Sequence, residues 1–88
     1  MIHLYTANYC PFCEKAITLL FKRGASFTVH DVTDDQRMRA FLAEKTGCST
    51  VPQIFFKDKF IGGCSDLYEL DSKGELDILI NGDQDGEE

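Results

Sequence analysis

The chain has 88 residues and a formal net charge of −6, from 15 acidic and 9 basic side chains. That length fits one domain with a thin core, the kind that often carries a disulfide or metal staple. Lys and Arg form no basic stripe of the sort that grips nucleic acid. No run approaches the roughly 20 apolar residues of a membrane span. MIHLYTANYC has no basic segment leading into an apolar one, so no secretory leader is expected. These features point to a soluble cytoplasmic protein without nucleic-acid or membrane partners.

Taken in order, IHLYT (2–6) alternates Ile2 and Leu4 against His3 and Tyr5, as a strand does. EKAITLLFKR then reads as a helix. Pro11 suits its first position, where a missing N–H costs nothing, and this makes Cys10 the N-cap. Cys13, Ile17, Leu20 and Phe21 fall on one face; Lys22, Arg23 and Gly24 suit the C-terminal end. FTVHDV (27–32) is a second strand. Thr33 and Gln36 form a candidate capping box for a helix with Met38, Phe41 and Leu42 as its apolar stripe, ended by Gly47. VPQIFF, KDK and FIGG read as strand, turn and returning strand. Ser65 to Lys73 is helical, Gly74 breaks it, and ELDILI is one more short helix. Residues 1–82 form the domain, and the acidic residues 83–88 are expected to be a disordered tail. The fold class is α/β: a four-stranded mixed sheet, made of a βαβ unit plus a β-hairpin, flanked by helices.

Cysteines stand at 10, 13, 48 and 64. Where thiols are kept reduced, a C-x-x-C serves metal binding or catalysis. A structural zinc site wants a second close pair, and Cys48 and Cys64 are too far apart in sequence to supply one. The helix assignment separates the first two sulfurs. Cys10 sits at the N-terminal tip, where free N–H groups and the positive end of the dipole favour a thiolate. Cys13 lies one turn in and is sheltered. An accessible attacker and a sheltered resolver are what a dithiol redox cycle needs.

Three motifs, CPFC at 10–13, TVPQIF at 50–55 and GGCSDL at 62–67, together resemble the glutaredoxins, in particular small bacterial dithiol members. The likeness runs from about Ile2 to Ile80. It implies a thioredoxin fold and a glutathione-dependent thiol–disulfide oxidoreductase acting on glutathionylated and disulfide-containing proteins. Glutathione would be the co-substrate, no metal would be needed, and the chain would be a monomer. Cys10 would take up the glutathionyl group and Cys13 would serve protein disulfides. Pro52 would be cis. Phe12, Thr50, Val51, Pro52, Gly63, Cys64, Ser65 and Asp66 would bind glutathione, with Asp66 meeting its ammonium. One alternative is a [2Fe–2S] scaffold bridging two protomers through Cys10 and glutathione, against which Pro11 argues. Another is a thioredoxin-like reductant, whose WCGPC signature is absent.

Four departures accompany the likeness. Ala7 and Ser49 replace basic residues, Phe12 replaces a tyrosine, and Ser65 replaces the first of two acids. Cys48 is expected to be structural and Cys64 a backbone contact. His3 and His30 are read as packing or surface residues, and Phe55, Phe56 and Phe60 as hairpin core and edge.

Overall fold

A computed structural model describes residues 1–85. The elements are β1 (Ile2–Thr6), α1 (Pro11–Lys22), β2 (Phe27–Asp31), α2 (Gln36–Thr46), β3 (Gln53–Phe56), β4 (Lys59–Gly62), α3 (Cys64–Ser72) and α4 (Glu75–Asp85). The strands form one mixed sheet in the order β2-β1-β3-β4. β1 runs parallel to β2 and antiparallel to β3, and β3 and β4 make the hairpin. This is the expected architecture. α4 continues through Asp85; the rest of the acidic tail, residues 86–88, lies outside the described residues. No helix among the described residues is long and apolar enough to cross a membrane.

Alternation along β1 decides which face is which. Ile2 and Leu4 point with Ile54 into a core shared with Ala16, Leu19 and Leu20 of α1, Leu67 of α3, and Leu76 and Ile80 of α4. His3 and Tyr5 take the opposite face. The buried stripe of α1 is Cys13, Ala16, Leu19 and Leu20. Phe21, expected on that stripe, is 78% exposed. The stripe turns through the small Ala16, which lets α1 sit close to the sheet and leaves Phe21 beyond its edge.

Helix ends follow the chemistry of their caps. Gly24 (φ 74°) follows the C-cap of α1, and Gly47 (φ 78°) is the C-cap of α2. The start of α2 differs from expectation. Asp35, not Thr33, is its N-cap and accepts from Met38 N–H at 3.0 Å. Thr33 is diverted: its N–H and hydroxyl donate to Asp31, and its Oγ1 accepts from Asn8 N–H at 2.8 Å. Thr33 therefore ties the loop before Cys10 to the end of β2. In the hairpin, Ile54 pairs with Gly62 but Phe55 with Phe60, so Ile61 is an extra residue that bends β4. That bend leads through Gly62 into α3, beside the start of α1.

Candidate active site

Cys10 is the N-cap of α1, in extended backbone conformation, and Pro11 opens the helix. The Cys13 N–H points back at the N-cap, donating to the Cys10 carbonyl at 3.1 Å and to Cys10 Sγ at 3.3 Å. On its other side the Cys10 thiol donates to the Val51 carbonyl at 3.5 Å. Val51 precedes Pro52 through a cis peptide bond. Gln53, almost fully buried, donates from Nε2 to the carbonyls of Cys48 (2.7 Å) and Thr50 (3.1 Å) and so fixes the loop in front of that bond.

Ala7, Cys10 and Cys13 make a small buried cluster with Val51 packed against it. Cys10 is 8% exposed and Cys13 2%. The expected contrast keeps its direction, but the attacker is not an exposed thiol. The Ala7 methyl helps close the apolar cover over both sulfurs. Burial above all pushes the Cys13 thiol up from 9.0 to about 12; the hydrogen bond and the charge of Cys10 add to this, while a backbone hydrogen bond at Ala7 opposes it.

Beside the cysteines runs a groove of about 810 Å³. Phe12 enters it from α1, Thr50, Val51 and Pro52 from the loop before β3, and Gly63, Cys64, Ser65 and Asp66 from the start of α3. All eight residues expected to bind glutathione thus meet in one cleft, with Cys10 against its Val51 wall. At the α3 end, Asp66 Oδ2 accepts from Gly63 N–H at 2.9 Å, holding the helix start in place. Gly62 (φ 134°) makes this approach possible: a Cβ there would lie 2.3 Å from Asp66 Oδ2. Burial also raises the Cys64 thiol, and the nearby Lys15 ammonium works against that rise.

Lys15 is a groove residue that the motifs do not disclose. It lines the groove, with its ammonium 5.6 Å from the Phe12 ring centroid and its carbonyl accepting from Tyr68 Oη at 3.4 Å. The signal was present in the spacing, because residues three apart on a helix share a face. Lys15 supplies local positive charge in a site that lacks basic residues at Ala7 and Ser49. Cys48, expected to be structural, is exposed and lines the same groove, as does Phe60.

Residues 2–61 match the family model for glutaredoxin. A probable glutaredoxin of Synechocystis sp. is 46% identical over 80 residues, covering 90% of this chain and 73% of the relative. Glutaredoxin 3 of Escherichia coli is 40% identical over 79 residues, 90% of this chain and 95% of the relative. Among solved structures, a buckwheat glutaredoxin–glutathione complex superposes with a TM-score of 0.87 at 26% identity, over 91% of this chain and 76% of that one. With the family's domain running from β1 into β4 and a cysteine pair at the start of α1, the first of them capping the helix, this chain belongs to the glutaredoxin family and is a thiol–disulfide oxidoreductase.

Proposed function

We propose that the chain reduces glutathione mixed disulfides and protein disulfides, with glutathione as co-substrate, Cys10 as nucleophile and Cys13 as resolving thiol. The observation that carries this reading is the position of Cys10 Sγ, 3.5 Å from the Val51 carbonyl at the wall of a groove of about 810 Å³. That volume suits a tripeptide-sized ligand. The Val51 backbone offers it strand-like hydrogen bonds. Lys15 offers a partner for a carboxylate, and the free edge of Asp66 one for the ammonium. The buckwheat relative solved with glutathione supports the choice of ligand.

In the first half-reaction the Cys10 thiolate, steadied by the Cys13 N–H, attacks the glutathione sulfur of a mixed disulfide. The Cys10–glutathione bond forms as the substrate thiolate leaves. A second glutathione thiolate then attacks the glutathione sulfur, which releases oxidised glutathione and restores Cys10. With a protein disulfide, Cys10 attacks one sulfur. Cys13 must then lose its proton and attack Cys10 Sγ, freeing the reduced protein and leaving a Cys10–Cys13 disulfide for two glutathiones to reduce. The working protein is a cytoplasmic monomer in this scheme, placed where thiols are held reduced.

The test is kinetic. Cys10→Ser should be inactive with every substrate. Cys13→Ser should keep activity with a small glutathione mixed disulfide and lose it with protein disulfides. Full activity in Cys10→Ser would overturn the mechanism.

A further inference from the structure

Chemistry outside the groove gathers on the other face of the sheet. The parallel register sets Tyr5 opposite His30, which brings His30 diagonally beside His3 although they are 27 positions apart. His3 Nδ1 and His30 Nε2 are 2.9 Å apart. The Tyr5 ring stacks on His30, with centroids 4.6 Å apart, and meets Phe55 edge-on. Over the two imidazoles lies a cavity of about 190 Å³, to which α2 contributes Lys45 and the β3–β4 turn contributes Lys57 and Asp58.

The sign of this cavity opposes that of the molecule. The chain has 11 basic side chains, 9 Lys and Arg plus 2 His, against 15 acids. Four of the basic groups line the cavity, and only one acid, Asp58, does. The Lys45 ammonium lies 5.8 Å from both the Phe41 and Phe55 centroids, and that of Lys57 5.7 Å from Phe56. Phe41 and Phe55 rather than a carboxylate hold the Lys45 ammonium at the rim, leaving its charge for a ligand; Lys57 lines the cavity, but its ammonium lies over Phe56 on the core face of the sheet and must swing round to reach a ligand. The histidine pair adds a variable charge. One N–H and one lone pair meet at the contact, so an outer nitrogen can take one proton without breaking the bond, while a second proton would set N–H against N–H. Burial first, then the His3 charge, holds His30 below the usual histidine value. A divalent cation is the poorer guest, since both lysines repel it and no group of three metal-capable side chains exists among the described residues.

We propose that this cavity binds a small tetrahedral oxyanion of sulfate or phosphate type. Lys45 and Lys57 supply permanent charge, and the His3–His30 pair strengthens the hold when it takes up a proton. The volume holds roughly six waters at about 30 Å³ each, so the ligand is a small anion.

Sulfate is the probe, because its charge is constant across the range in question. It is titrated at fixed ionic strength against chloride while the ring resonances of His3, His30 and Tyr5 are followed by NMR. Saturable shifts are expected, with affinity rising as the pH is lowered and His30 takes up its proton. Lys45→Gln combined with Lys57→Asn should abolish saturation; asparagine suits the positive φ of 57° at that turn. His30→Gln should bind more weakly and with a smaller pH dependence. Both variants should reduce glutathione mixed disulfides at the wild-type rate, which separates this site from the groove. Shifts linear in sulfate, saturation that survives the double lysine change, or saturable shifts with Ni(II) in place of sulfate would each overturn the proposal.

Discussion

At the scale of single residues, the two sulfurs differ by what surrounds them rather than by type. Cys13 is pushed up to about 12 chiefly by burial, and burial persists when Cys10 is tied up in a mixed disulfide. The Cys13-dependent step should therefore accelerate by about tenfold per pH unit from pH 6 to 9 without levelling, because the thiolate fraction does. Single-turnover release of a protein from its mixed disulfide with Cys10 measures this; a plateau near neutral pH would show that Cys13 is far more acidic. The sign for stability is the reverse. A thiol whose folded value is raised contributes fully below its unfolded value and loses that contribution above it. The reduced protein should thus weaken from about pH 9 upward, and Cys13→Ser should weaken less. Gly62 is a second residue that nothing replaces. Gly62→Ala meets both a φ of 134° and Asp66 Oδ2 at 2.3 Å. It should cost about 2 kcal/mol in denaturant unfolding and raise KM for glutathione by displacing the start of α3. The GG pair was readable from sequence; the carboxylate that excludes a Cβ was not, because that contact exists only once α3 has formed.

Among the elements, order and type were legible throughout, since each strand and helix carries its own period and punctuation. What failed were choices between neighbours. Phe21 fits a helical stripe as well as Leu19 does, and only packing against β1 and β3 selects Leu19. Thr33 and Asp35 are both good N-caps by type. Asp35 wins because Thr33 is claimed by Asp31 and by Asn8 N–H. The two residues therefore have separable roles. Asp35→Ala should cost about 1 kcal/mol of stability with little change in kcat, as loss of an N-cap does. Gln36→Ala should be near neutral, since no capping box forms there. Thermal and denaturant unfolding of the pair of variants checks both, and equal losses would restore Thr33–Gln36 as the working cap.

Over the whole molecule, the candidate site was legible through three motifs spread along the chain, not through periodicity. CPFC, TVPQIF and GGCSDL come together because α1 follows β1, β3 lies beside β1, and the bend at Ile61 returns the chain through Gly62 to α3. Lys15 belongs to none of these motifs, and the contact between His3 and His30 was not legible because only the β1–β2 register joins them. Charge is where the whole fold bears on the groove. A chain of net charge −6 repels an anionic tripeptide at long range, and with Ala7 and Ser49 uncharged the local counterweight is Lys15 at the groove wall. Lys15→Gln should raise KM for glutathione by roughly two- to fivefold, the worth of an exposed ion pair, and leave kcat nearly unchanged. Salt separates this from a packing defect. As ionic strength rises from about 0.01 M to 0.15 M the Debye length falls from about 30 Å to 8 Å. The gap between variant and wild type should narrow over that range if charge is the cause, whereas a gap indifferent to salt would assign Lys15 to supporting the Phe12 ring instead.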